Sequence, residues 1–217
     1  MRLHNFIIVI FFYMATTILS QLILNTDQLL YNSLIEKFSV NQVNEITNSQ
    51  KKWQWVSYVF IPVFIGVKTL VTASVLYIGI FFYSDTKFTF KQLFDLVVKA
   101  EFIFLGIGVF KIIWFYFFQT SYTLEDLQYF YPLSALNVVG YQGIETWFIY
   151  PLQVLNLFEV AYFLLLSFYI GKIATPSKKI LENKYPVDFG LRIVATSYGS
   201  ILLLWIIAVM FLTLNYS

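Results

Sequence analysis

The stretch Gln119-TSYTLEDLQYFYPLSALNVVGYQGIE-Thr146 carries three acidic side chains, Glu125, Asp126 and Glu145, and no lysine or arginine. Every other connection between the apolar blocks of the chain contains basic residues. Set among segments long enough to cross a bilayer, this asymmetry marks an integral membrane protein and orients it, because cytoplasmic loops carry the excess of Lys and Arg. Composition agrees. Of the 217 residues 59% are apolar, 21% aromatic and only 12% charged, against about a quarter charged in a soluble domain.

Working outward from that loop, the apolar blocks read as five spans of an all-α, polytopic helical bundle forming one domain. The first covers about residues 3–24, behind Arg2 and His4, long enough to cross at about 1.5 Å per residue. It also looks like a signal peptide, but Ala15-Thr-Thr-Ile-Leu-Ser20 makes a poor cleavage site and the apolar run exceeds a usual h-region, so an uncleaved anchor is expected, with cleavage as the alternative. Residues 27–50 are the most polar stretch. Leu30, Leu34 and Phe38 recur there every four positions, which predicts an amphipathic helix on the membrane surface or against the bundle. A second span, 53–83, opens on Trp53 and Trp55 and closes on Phe81, Phe82 and Tyr83 as interfacial belts would, and its length implies either tilt or a kink near Pro62. After Asp85, Lys87 and Lys91 comes a third span, 93–118, whose first turns place Phe90, Phe94 and Val98 on one stripe and Lys91, Asp95 and Lys99 on another. The acidic loop, 119–149, should lie along the outer surface. A fourth span, 150–173, precedes the lysine-rich connection Lys172, Lys178, Lys179, Lys184, and a fifth, 191–214, ends in an uncharged tail. These loops place the N-terminus in the cytoplasm and the C-terminus outside; Lys51 and Lys52 oppose that orientation and are outweighed. Richness in Phe, Ile, Asn, Lys and Tyr leans towards an AT-rich bacterial genome, hence a bacterial inner membrane.

Charges inside a span cost on the order of 2.5–3.5 kcal/mol each at the centre and are candidates for function by default. Lys68, Glu101, Lys111 and Glu159 meet that description. Counting turns from the span ends puts Lys111 and Glu159 at similar depth and suggests an ion pair; Lys68 and Glu101 are the second expected pair. Asn156 could extend the polar patch or act as interhelical glue. Structural locking of helices, or snorkelling of each side chain to an interface along its alkyl stem, outweighs a transport or proton-relay role for these groups.

Other chemistry is poorly supplied. The absence of cysteine excludes disulfides and thiol catalysis. The lone histidine, His4, cannot build a Ser-His dyad or a multi-histidine zinc site inside the bundle. No nucleotide-binding or hydrolase motif occurs, so no cofactor or metal is expected. Gly106-Ile-Gly108 reads as close helix packing. Phe102, Phe104, Phe110, Phe115, Tyr116, Phe117 and Phe118 read as lipid contact and belt. A net charge of +2 gives no case for nucleic acid.

From Phe88 onward, over about residues 88–214, the chain resembles the Yip1 family of multispanning membrane proteins in its bacterial form. The likeness rests on the entry Phe88-Thr-Phe90-Lys91, on Pro132-Leu-Ser134-Ala-Leu136, and on Leu155-Asn-Leu-Phe-Glu159 followed by Tyr162 and Gly171. Asn156 stands where the family tends to carry an acid, and Glu159 supplies the charge. The resemblance implies a five-helix bundle with cytoplasmic N-terminus and no catalysis. The long N-terminal region of eukaryotic relatives is missing, so their role in vesicle traffic is not implied. The function expected is a non-enzymatic membrane subunit or scaffold with lipid and protein partners or a homo-oligomer. The alternative is a transport component, either a small permease subunit or a channel-like homo-oligomer.

Overall fold

The computed structural model describes residues 3–83, 88–174 and 186–216. Its elements are α1 (Leu3–Ile23), α2 (Thr26–Ile35), α3 (Val40–Tyr83), α4 (Phe90–Phe117), α5 (Leu124–Tyr129), α6 (Ala135–Val139), α7 (Thr146–Val154), α8 (Leu157–Ala174), α9 (Pro186–Val194), a π-helical turn at Ala195–Gly199, and α10 (Ser200–Tyr216). Four stretches, His4–Ile23, Val40–Tyr83, Leu157–Ala174 and Val187–Tyr216, are helical, long and apolar enough to cross a membrane. The chain is therefore an all-α, multi-pass membrane protein. Their outward faces carry large apolar side chains such as Phe64, Phe81, Leu204 and Phe211, each more than half exposed, as lipid contact requires.

The long helices alternate in direction. The Phe6 and Phe94 rings meet near the starts of α1 and α4, while Tyr122, just beyond α4, donates to the Leu24 carbonyl beyond the end of α1, so these two run parallel. α3 runs against α1: Tyr58 and Gln54 in its first half hydrogen-bond to Gln21 near the end of α1. α8 descends against α4, and α9–α10 returns beside it. The starts of α1, α4 and α9 and the ends of α3 and α8 thus share one end of the bundle. The ends of α1, α4 and α10 share the other. α4 lies in the middle, packed on α1, α3 and α8, and one core runs from Val9 through Leu76, Val97 and Phe104 to Leu166 and Ile193.

Several boundaries differ from the sequence expectation, for identifiable reasons. The segment 27–50 is two helices rather than one. Gln42 Oε1 accepts from both the backbone N–H and the hydroxyl of Ser39, half of the reciprocal box that starts a helix, so α3 begins at Val40 and the Leu30–Leu34–Phe38 stripe is cut. α3 then continues for 44 residues, about 66 Å at 1.5 Å per residue, twice the roughly 30 Å hydrocarbon layer; its polar first half extends past the apolar core. Pro62 lies inside this helix without interrupting it. The acidic loop is itself folded, with α5 and α6 tucking Leu127 and Leu136 away from solvent. Phe104 and Phe115 are not lipid contacts but buried: Phe104 packs on Tyr162 and Phe115 on Tyr122 and Phe130. The fourth span is broken at Leu155–Asn156, and the fifth begins at Pro186. Arg2, Asp85, Lys87, Lys178, Lys179 and Lys184 lie outside the described residues.

Backbones approach most closely between α8 and α9. A Cβ on Gly190 would stand 1.9 Å from the Ser167 carbonyl oxygen and 2.6 Å from the Gly171 nitrogen, atoms that cannot move without moving a helix. A Cβ on Gly106 would meet only the edge of the Phe158 ring, at 2.7 Å, and one on Gly108 would make an ordinary 3.5 Å contact with Thr16. Alanine in a helix interior otherwise gains about 1 kcal/mol over glycine. Melting in detergent should therefore rank the variants: Gly190→Ala unfolds the protein or lowers its midpoint sharply, Gly106→Ala lowers it slightly, and Gly108→Ala leaves it unchanged or raises it.

Candidate functional site

Helical repeat places Lys68 of α3, Glu101 of α4 and Tyr162 of α8 at one level, about 16–22 Å from the bundle end shared by Tyr83, Phe90 and Ala174 at 1.5 Å per residue. Glu101 is only 1% exposed. Its Oε2 accepts from Lys68 Nζ at 3.0 Å, and its Oε1 accepts from the Tyr162 hydroxyl at 2.9 Å. Phe104, three residues along α4, sets its ring centroid 3.7 Å from the same Lys68 nitrogen and 4.8 Å from the Tyr162 ring. The carboxylate thus has a donor on each oxygen, and the ammonium a carboxylate and a ring face. Low dielectric makes such an arrangement stable only when both partners are so satisfied. Among the described residues no buried side-chain nitrogen or oxygen lacks a partner.

Lys111 and Glu159 are not brought together. The expected match in depth assumed an unbroken helix from 150; α8 instead starts at Leu157, and Phe158 faces Gly106, more than a helical turn short of Lys111. Lys111 Nζ donates to the Leu127 carbonyl of α5. Glu159 Oε1 accepts from the Tyr198 hydroxyl. Tyr198 comes from the π-helical turn, whose extra residue per turn shifts the face that the following side chains occupy; its ring also meets that of Tyr162, with centroids 5.5 Å apart.

Asn156 is a cap rather than interhelical glue. Its Oδ1 accepts from the Glu159 N–H at 2.8 Å, while its Nδ2 donates to the carbonyls of Gln153 and Val154 at 2.8 and 2.9 Å. One side chain thereby closes both sides of the break between α7 and α8. The bared backbone there pairs with residues 133–135: the Ala135 N–H donates to the Leu155 carbonyl at 2.8 Å and the Leu157 N–H to that of Leu133 at 3.1 Å, with Ser134 bridged to Asn156. Leu133 adopts φ 56° to make the turn, a conformation rare for a bulky residue. The segments 132–136 and 155–159 thus meet here.

Outside the spans, Asp126 fastens α5. Burial alone would push its carboxyl pKa up, but the Thr123 N–H and hydroxyl donate to its Oδ2 at 2.8 and 2.9 Å and the Tyr141 hydroxyl to its Oδ1 at 3.0 Å, holding it below the usual carboxylate range.

Tyr162 and Tyr198 are the members of this network that reasoning on charge overlooked. Their signal was position, since a tyrosine in the middle of an apolar span, away from either belt, needs a buried partner for its hydroxyl. Among the described residues no three His, Cys, Asp or Glu side chains gather as a metal would require. Comparison with protein-family models, with curated proteins and with solved structures yields no match.

Double-mutant cycles on thermal stability test this geometry. Glu101→Leu and Lys68→Met should each destabilise, towards the low end of the about 3–5 kcal/mol for breaking a buried pair because the Lys68 side chain is 42% exposed. The double variant should recover most of the loss. Lys111→Met and Glu159→Leu, sharing no partner, should add within about 0.5 kcal/mol. Additive effects at Lys68 and Glu101 would contradict the pairing.

Proposed function

We propose that this chain is a non-enzymatic multi-pass protein of a bacterial inner membrane, with cytoplasmic N-terminus and outer C-terminus, serving as a subunit or scaffold of a larger membrane assembly. In this reading α4 is a fifth crossing, and the fold is of the Yip1-like kind. The observation that carries the proposal is the closure of the intramembrane charges on groups of the same chain. Glu101, Lys68, Glu159 and Lys111 each have a partner from another element, and none of them lines the two cavities between α1 and α3. Groups held in this way fix the mutual register of α3, α4 and α8, as a scaffold needs. The apolar outer faces of α3 and α10 are then left for lipid or partner helices.

A second reading, a transport component, is favoured by one feature: the helix interrupted at Leu155–Asn156 beside Glu159, since irregular backbone at membrane depth is tolerated only where protein or a water-filled path surrounds it. The break is lined here by protein.

Purification from native membranes in mild detergent, followed by mass spectrometry of what remains bound, separates the readings. Envelope or membrane proteins recovered in fixed ratio support the scaffold. Recovery with a cytoplasmic ATPase, together with flux that Lys68→Met abolishes without loss of folded protein, would replace it with transport.

A further inference from the structure

Two cavities meet on the face where α1 and α3 pack. The larger, about 720 Å³, lies between the end of α1, α2, the polar first half of α3 and α5, within the roughly 300–1,000 Å³ of small-ligand sites. Carboxamides dominate its wall: Gln28, Asn44, Asn48, Gln50 and Gln128. Trp53 and Tyr31 add ring faces. The smaller, about 520 Å³, is an open groove of Tyr13 and Thr17 from α1 and Val56, Phe60, Ile61 and Phe64 from α3. Ser57 lines both. One site therefore passes from amide-rich to apolar along α3. Its apolar part faces outwards between two helices, each long and apolar enough to cross the bilayer.

We propose that this paired cavity binds a glycolipid, with the sugar headgroup in the amide-lined cleft and an acyl chain in the groove below Ser57. An amphiphile is the occupant that matches a polar chamber set directly on an apolar one, and an open groove at the level of membrane-spanning helices is supplied from the bilayer itself. The headgroup follows from the wall. A carboxamide both donates and accepts, as a sugar hydroxyl does, and the amides of Gln28, Asn44, Asn48, Gln50 and Gln128 are not committed to hydrogen bonds inside the protein. A phosphate headgroup calls for clustered Lys and Arg, and Lys51, opposed by Asp27, is the single cation lining the cleft among the described residues. This inference rests on membrane insertion and not on the scaffold reading.

The protein is reconstituted in nanodiscs of equal molar parts phosphatidylethanolamine, phosphatidylglycerol and monoglucosyl diacylglycerol, and the lipids retained after transfer to detergent are measured by native mass spectrometry. The glucosyl lipid should be retained in preference to both phospholipids. Asn44→Ala with Asn48→Ala, exposed positions that should leave the melting midpoint in place, should lower that retention about tenfold. Ser57→Trp, which plugs the junction, should lower it as much. Methyl glucoside, which has the hydroxyls without the chains, should not displace the lipid. Equal retention of all three lipids, a phospholipid preference, variants of unchanged melting that still retain the glucosyl lipid, or displacement by methyl glucoside would each overturn the assignment.

Discussion

A carboxylate taken almost wholly out of water at the level of the bilayer interior constrains everything packed around it. Donors reach both oxygens of Glu101, and they come from two other helices, Lys68 from α3 and Tyr162 from α8. Sliding any of the three helices by one turn, about 5.4 Å, would break those bonds. Non-directional apolar contacts, such as those of Leu76, Val97 and Leu166, tolerate several registers in a membrane where lipid is as apolar as leucine. The directional network selects one of them. Phe104 strengthens the selection, because its ring supports the ammonium and packs at a tilt on Tyr162 at the same time.

The same demand for satisfied polar groups explains the break in the fourth apolar block. A helix that stops inside the bundle exposes N–H and carbonyl groups that cannot turn to water. Leu155–Asn156 meets the demand from within the protein, by the Asn156 cap and by pairing with residues 133–135. That requirement draws the acidic stretch inward and gives it structure. Ser134 and Asn156 are both nearly inaccessible, which a loop lying over an outer surface would not achieve.

Helix class, membrane insertion and the Lys68–Glu101 proximity were legible in the sequence because each follows from local apolarity or from an isolated charge. What was not legible depended on caps and on neighbours. Ser39 and Gln42 stand three apart and mark the true start of α3, yet the four-residue stripe of Leu30, Leu34 and Phe38 was the louder pattern and ran across them. Leu155-Asn156 interrupts an apolar run without glycine or proline at the stop. Asn156, three residues before Glu159, has the spacing of a helix N-cap, but the unbroken apolarity on both sides masked it, and the depth assigned to Glu159 shifted with the break. Phe104 and Phe115 look like any lipid-facing phenylalanine until Tyr162 and Tyr122 are placed beside them.

The two ends of the bundle are built by different means. At the α8–α9 end, helices touch backbone to backbone, Gly190 against Ser167 and Gly171, and Gly79 lies against Ser197; contacts of that kind leave no room for a side chain to adjust. At the far end, α2 has no buried residue and the first half of α3 buries only Val43; a small cluster of Leu24, Phe115 and Leu127 and side-chain hydrogen bonds such as Gln54 and Tyr58 to Gln21 hold that end together. Local opening costs least where few apolar contacts are lost. The fewest such contacts hold α2 and the first half of α3, the elements that line the larger cleft.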